Sequence, residues 1–585
     1  MNPTSPIDAR IVTGPQEHVF GLVPIVVSTT GHRDIPDQDI QRLETVIVSE
    51  LRSIAEAHPN SPLLLLTGLA EGADRLVARC AIKSGWRIGA VLPLEQSDYE
   101  TDFASEASRE DFRELLAQSA WIRVVNADAS PRPACYRIQG EWLAQYSQKL
   151  LALWDGKDGN GEGGTADVVH VFLNGLPSMR PILPDAGPVI HIATRRIRDM
   201  NLPAEPDVGK ATLLAPTPGG HGSEGEEGRW KIILERIDQF NADARRELAE
   251  SMPAIEQSRS YLNAEKMIDS VDTSHSAISA SWLHAISDTI SSKAQTKRDR
   301  LFLTLIVFAF VAIFFEQLYS GPFPQPILMA VSIAAGFGGF LVFLKGSRDR
   351  LEDRYLDYRG LAEASRVQYF WSRAGLEVRA EDHFLRAQRD ELEWIRQAVR
   401  GTALGPADPT DDLRNSLELK LVRDCWVNDQ FRYFAGNPDR PEKPGKAEGN
   451  RRLDSKWSVR AGRLFLLGIG AAIVVTPFHG FFAESFPEVG DGIVQALIVG
   501  YGMLFASAGV CKVYLETKAF TEQANRYQRM ALSMNLARTQ LDAALSVGDV
   551  RACRTVISEI GKEALAENGD WLLVHRERPV KVPLG

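Results

Sequence analysis

The chain has 585 residues, room for several domains at the usual size of roughly 100–200 residues. Its 66 Lys and Arg against 76 Asp and Glu give a net charge of −10, which excludes nucleic acid as a main partner because phosphate binding needs a basic face. Five scattered cysteines without C-x-x-C spacing exclude a zinc or disulfide framework and read as reduced thiols, and "MNPTSPIDAR" lacks the apolar stretch of a cleavable signal peptide.

From the N-terminus, short apolar runs at 23–28, 63–67, 87–92, 121–125, 149–154 and 188–193 read as strands. Helical tracts such as 39–57 and 74–83 separate them. Apolar runs spaced by helices predict parallel strands joined by crossovers, an α/β doubly wound sheet over residues 1–200 that folds alone and is soluble. Ligands of such sheets sit beyond the carboxyl ends of the strands. There the chain places "TTGHR" after the first strand, "TGLAEGADRL" after the second and "WDGKDGNGEGGTADVV" after the fifth. The last delivers Gly163, Gly164 and Thr165 to a helix start, where free N–H groups and the helix dipole favour a phosphate. Thr30, Gly31, His32 and Arg33 come from the first turn, and Gly68, Glu71 and Asp74 from the second. Arg33 and Arg195 either neutralise phosphate or pair with Asp34 and Glu71. Asp155 either holds a ribose hydroxyl or caps its loop, and His32 either meets the ligand or a loop carbonyl. None of the eleven histidines has metal-site spacing, and neither a Walker A loop nor a G-x-S-x-G elbow occurs.

"TGHRD", "GLAEGADRL", "LLALWDG" followed by "GGTADVV", and "PVIHIATRR" resemble the SLOG family over about residues 20–197. These are Rossmann-like domains related to the LOG phosphoribohydrolases and to DprA. The resemblance implies a nucleotide-derived ligand, ADP-ribose-like or a cyclic nucleotide, acting as a signal, with no further cofactor and no metal. The LOG motif P-G-G-x-G-T-x-x-E carries a catalytic glutamate. Aligned on Gly164 and Thr165, this chain has Glu162 where the second glycine belongs and Val168 where the glutamate belongs, with Asp167 one residue out of register. One residue on a helix turns a side chain by about 100°. The resemblance therefore implies binding without the hydrolase carboxylate, and no catalytic residue is assigned.

Residues 201–228 and 435–450 read as polar linkers on either side of a helical module at 229–434. Within that module "RYLDYRGLAEASRVQYFWSRAGL", "ELEWIRQAVR" and "CWVNDQFRYF" have the spacing of amphipathic helices. Four stretches, 301–319, 327–344, 464–483 and 493–511, are long and apolar enough to span a bilayer. The alternative is a buried soluble core. Lys and Arg cluster outside each hairpin, while "SGPFPQP" and "ESFPEVGDG" contain neither, so the positive-inside rule places both termini and 346–460 in the cytoplasm. Small residues at four-residue spacing, Ser332/Gly336, Ala335/Gly339, Gly468/Ala472 and Gly502/Ala506, permit close helix packing and self-association. No span carries a mid-membrane charge, which disfavours a pump or coupled transporter. In the tail, "EIGKEALAENGDWLLVHRERP" predicts a helix closed by Gly569, with Trp571 packed on the bundle.

Two-span hairpins flanked by cytoplasmic helices, with this tail, resemble the SLATT family over about residues 260–585. The resemblance implies an effector of bacterial antiphage defence that opens or disrupts the inner membrane when a nucleotide second messenger binds. It also implies a homo-oligomer in the lipid bilayer and a signal-producing enzyme encoded nearby. Two other readings stay open, a membrane-anchored LOG-like nucleotide hydrolase and a constitutive channel with a nucleotide-binding regulatory domain.

Overall fold

A computed structural model describes residues 21–125, 131–159, 161, 163–175, 187–199, 207–216, 223–262, 274–348, 350–384, 389–406, 412–437, 440, 442–485 and 490–577. The front of the chain alternates strand and helix: β1 (Ile25–Gly31), α1 (Asp37–Ala57), β2 (Leu63–Thr67), α2 (Ala73–Lys83), β3 (Arg87–Leu92), α3 (Gln96–Tyr99), α4 (Glu106–Ala117), β4 (Trp121–Val124), α5 (Arg132–Tyr146), β5 (Lys149–Trp154), α6 (Thr165–Asn174) and β6 (Val189–Ala193). The sheet order is β4-β3-β2-β1-β5-β6-β7, parallel throughout except for β7 (Ala211–Leu214), which runs antiparallel on β6. This is the expected doubly wound, Rossmann-like sheet.

The strands form because continuous runs such as "LLLLT" are covered on both faces, which leaves Leu65 and Leu66 fully buried. In α1, Leu43, Ile47, Leu51 and Ile54 make the buried stripe at three-to-four spacing. Chain direction across the sheet reverses at β1: the chain leaves it toward β2 and returns on its other side with β5. Right-handed crossovers then put the helices on opposite faces on either side of that point. β1 pairs with β2 from Ile25 to Ser28 but follows β5 from Val27 to Gly31. The strands therefore splay at the carboxyl edge, where the chain direction reverses.

Strand β7 lies inside the segment expected to be a linker. Three of its four residues are exposed, so it has no apolar pattern to read. The unit boundaries also differ from those expected at residues 200 and 229. One compact unit is drawn from Met1–Arg259, Ser270–Ile286 and Ala364–Asp411, the other from Ser260–Asp269, Ser287–Glu363 and Asp412–Gly585. The helices that follow are α7 (Ser223–Ser260), α8 (His275–Ser320), α9 (Pro326–Arg348), α10 (Leu351–Arg373), α11 (Ala380–His383) and α12 (Arg389–Gly401). In the first unit α7 grips the sheet at the start of its strands. Buried Asn241 accepts from the Val23 N–H at 2.9 Å and donates to the Val23 carbonyl at 2.7 Å, as a neighbouring strand would. Asp238 accepts from the Asn60 N–H at 2.9 Å and from the Ser61 hydroxyl at 2.8 Å, just ahead of β2. Leu404, beyond α12, joins Val26, Leu64, Leu66, Val91, Leu143 and Tyr146 in one core cluster. The compact unit that holds the sheet thus extends beyond residues 1–200.

The second unit is helical, and its remaining helices are α13 (Asp412–Val422), α14 (Asp429–Ala435), α15 (Lys446–Ser485), α16 (Gly490–Lys518), α17 (Phe520–Ser546) and α18 (Val550–Glu577), with a π-helical stretch at Arg423–Asn428. α15 starts at Lys446, inside the second expected linker. Among the described residues, four helices are long and apolar enough to cross a membrane, and only 6% to 17% of each apolar window is covered by protein. Leu303, Ile333, Leu466 and Ile473 are each more than 60% exposed, so these helices are not the core of a soluble fold. Within the hairpins a β-carbon at Gly338 or Gly468 would meet Phe308 or Phe505, which shows how closely the paired helices approach. Gly336 has nothing within 4 Å and plays no part in that packing. Lys518 Nζ reaches Asp299 Oδ1 at 2.9 Å and joins α16 to α8. The last helix runs through Gly569 to Glu577 instead of closing there. Trp571 packs edge-on against Tyr355 at 5.7 Å, as expected of it, and Leu572 is fully buried, which outweighs glycine's cost of about 1 kcal/mol.

Candidate functional site

Glycine placement and helix starts build a cleft of about 510 Å³ at the carboxyl edge of the sheet. Thr29, Thr30, Gly31, His32 and Arg33 line it from β1, and Asp74 from α2. Trp154 and Asp155 come from β5, and Gly163, Gly164 and Thr165 from the start of α6. Nine of the twelve residues singled out from the sequence meet there: Thr30, Gly31, His32, Arg33, Asp74, Asp155, Gly163, Gly164 and Thr165. Gly68, Glu71 and Arg195 do not line it. Gly68 backs onto the Gln139 amide behind the wall. Glu71 accepts from the Ala104 N–H at 3.0 Å and from the Ser108 hydroxyl, at the start of α4. Arg195 forms a two-pronged pair with Asp39, at 2.7 and 3.1 Å, and Asp34 is taken by Arg196 at 2.8 Å.

The anion-binding end is the start of α6. Gly164 is its N-cap, and the first helical bond runs from the Val168 N–H to the Gly164 carbonyl at 3.0 Å. The N–H groups of Thr165 and Ala166 thus precede the helical ladder, as at any helix start. Gly163 has φ +74°, a conformation side chains rarely adopt, and a β-carbon there would strike Tyr136 and the Arg137 nitrogen. Asp167 accepts from the Gly163 N–H at 2.9 Å, so this carboxylate fixes the loop. Val168, at the register of the LOG glutamate, is buried and packs on Gly140. Glu162 lies outside the described residues. Gly31 differs from its expected role: its missing β-carbon makes room for Ala73 and Leu153, not for a ligand.

The imidazole of His32 is buried, and burial lowers its pKa although Asp155 works in the other direction. The neutral ring accepts the Asp155 N–H at Nε2 over 3.1 Å. Protonated, the same nitrogen would donate to Asp155 Oδ1, 3.2 Å away. The guanidinium of Arg33 sits 5.4 Å from the centre of the Tyr136 ring. Burial opposes its charge, and Tyr136, Tyr99 and Asp102 outweigh that and raise its pKa. Arg198 lines the cleft, exposed and without an ion-pair partner among the described residues.

At the β3 side of the cleft stand groups that sequence reasoning missed. Tyr99 is fully buried, and its hydroxyl has no hydrogen-bond partner among the described residues. On the β1 wall between the two ends, within the first turn read from the sequence, the Thr29 hydroxyl, 1% exposed, likewise has no partner among the described residues. Burial pushes the Asp74 carboxyl up to about 7 and Tyr99 well above the usual phenol range. Tyr136 donates to Asp102. One signal for Tyr99 was available: it follows the third strand, whose carboxyl end must share an edge with the first, second and fifth. Nothing in the sequence marks Tyr136 or Gln139, which reach the cleft from α5. No family model and no curated protein matches the chain.

Proposed function

We propose that the chain is a nucleotide-gated membrane effector of the SLOG–SLATT kind, serving bacterial antiphage defence. In this reading a nucleotide-derived second messenger seats its phosphate at Gly163, Gly164 and Thr165 with help from Arg33 and Arg198. Binding then changes the helices leading to the spans, and the inner membrane is opened. The sensor and both termini stand in the cytoplasm, as the Lys and Arg flanks imply. The active form is a homo-oligomer, and an enzyme encoded nearby makes the signal.

One observation carries the reading: a cleft at the reversal point, with a glycine-bordered helix start and unpartnered buried hydroxyls, in a chain with four uncovered apolar helices. The packed Val168 at the glutamate register supports binding over hydrolysis. The test is calorimetric titration of the full-length protein in detergent micelles with ADP-ribose, a cyclic ADP-ribose isomer and AMP. At least one should bind, and Gly164→Val or Thr165→Val should weaken it by about 1–3 kcal/mol, the scale of a hydrogen bond to a charged group. A ligand whose affinity ignores both substitutions sits elsewhere. Base release from a bound nucleotide would turn the reading to the hydrolase.

A further inference from the structure

Two ends of the cleft differ in chemistry. The end at α6 offers helix-start N–H groups with Arg198 and Arg33 nearby. The opposite end, below β3, offers the Asp74 carboxyl and the buried, unpartnered Tyr99 hydroxyl, with the unpartnered Thr29 hydroxyl on the wall between. Gln139 also lines the cleft, but its amide already donates to the Val91 carbonyl at 2.5 Å. A buried hydroxyl without a partner is costly, and native folds rarely leave one unexplained. A carboxyl group beside it repels a phosphate and accepts hydroxyl protons.

We propose that Asp74 and Tyr99 form a second subsite that reads the hydroxyls of a pentose whose phosphate lies at Gly163–Thr165. Asp74 accepts from one or both hydroxyls of a vicinal pair, and Tyr99 completes the set by donating to one of their oxygens. The Asp74 carboxyl keeps free lone pairs for this, since its bonds within the protein go to N–H groups of the Gly68–Ala70 turn, that from Ala70 at a long 3.4 Å. The Tyr136 side chain stands between the two ends: a β-carbon at Gly163 would meet its Cβ, and its ring lies 6.1 Å from that of Tyr99. A ligand that reaches both ends must therefore extend past this side chain, which suits a sugar phosphate better than a bare anion. The inference rests on the phosphate reading of α6 given above.

The experiment titrates the full-length protein in detergent micelles with inorganic phosphate, ribose 5-phosphate and 2-deoxyribose 5-phosphate. Ribose 5-phosphate should bind at least about tenfold tighter than either of the others, because a subsite built for a hydroxyl loses a partner when it is missing. Tyr99→Phe and Asp74→Asn should each shrink the ribose-to-deoxyribose ratio toward one without weakening inorganic phosphate. Thr165→Val should weaken all three. Equal binding of the two sugars by the unaltered protein, or a ratio that survives both substitutions, overturns the subsite while the phosphate reading stands. Failure of all three to bind overturns both. Thermal unfolding of each variant checks that it is folded, and Tyr99→Phe, which removes only an unpartnered hydroxyl, keeps the test informative if Asp74→Asn alters stability.

Discussion

Asp74 holds its proton far better in the folded chain than an exposed aspartate does, because burial raises it from 3.8 to about 7. The sign of the consequence follows from linkage. Between these two values the folded state binds more protons than the unfolded one, so Asp74 makes stability fall as pH rises from about 4 to about 7, by at most about 1.4 kcal/mol per pH unit. Asp74→Asn removes that dependence. Thermal unfolding between about pH 4.5 and pH 7.5 should show the unaltered protein losing more than the variant toward the alkaline end. Parallel curves would mean that Asp74 is not buried as described. His32 acts in the opposite sense: its lowered pKa favours the fold above its ordinary 6.5 and is lost below it. Comparing variant with parent cancels that contribution. The sequence made Asp74 legible as a site residue, since it follows Gly72 at a helix start beyond a strand. It hid the burial, which depends on Tyr99 and the rest of a wall assembled from distant elements. Arg195 misled for a related reason. Three arginines lie within four residues, at 195, 196 and 198, and only packing decides that Arg195 meets Asp39 away from the cleft while Arg196, paired with Asp34, and Arg198 both line it.

Helix α7 does for the start of β1 what a strand would do, through one side chain. Asn241 satisfies both the N–H and the carbonyl of Val23 and is itself fully buried. Asn241→Ala should therefore leave two buried backbone groups unpaired, each costing about 1–3 kcal/mol. Urea unfolding of the first unit's signal in full-length protein should show a loss of that size, and a loss below about 0.5 kcal/mol would mean water replaces the amide fully. Asn241→Asp should recover less than half, since a carboxylate accepts but cannot donate to the carbonyl. At this scale strands were the legible part: all six apolar runs became strands at or within three residues of the expected bounds. β7 was not, because an exposed edge strand borrows its order from its neighbour. Nor was the membership of α7, α11 and α12 in the sheet's unit, for an amphipathic stripe tells that a face is buried but not against what. In the second unit, Lys518 and Asp299 join the two hairpins where the charged flanks lie. Asp299→Lys should lower the protein's thermal stability in micelles, and adding Lys518→Asp should restore part of it. A half-exposed pair is worth only about 0.2–1 kcal/mol, so the restoration should be small and should vanish at high salt.

Both α8 and α10 run unbroken across the division between the two units, at Ile286 and Ser287 in α8 and at Glu363 and Ala364 in α10. In the gated reading proposed above, these helices are the covalent, hydrogen-bonded route by which binding to the first unit would reach the second. A ligand can drive such a change only by its differential affinity for two states, and moving a population from 1% to 99% open takes about 10⁴-fold, or roughly 5.5 kcal/mol. In vesicles loaded with a self-quenched dye, the reconstituted protein should therefore be tight without ligand and leak with it. Thr165→Val should move the ligand concentration for half-maximal leak without lowering the plateau, since it changes affinity and not the open state. Ser287→Pro is the converse. Proline removes an N–H from the ladder and clashes with the preceding turn, at a cost of about 3 kcal/mol or more, and so breaks α8 at the division. Ligand binding to the first unit should persist in that variant while ligand-dependent leak disappears. A Ser287→Ala control should behave as the parent, because the Ser287 hydroxyl is buried and without a partner among the described residues. If Ser287→Pro leaked normally on ligand addition, the route through α8 would be excluded and the signal would have to pass through α10 or through another copy of the chain. If the unaltered protein leaked equally with and without ligand, the gated reading would yield to the constitutive channel.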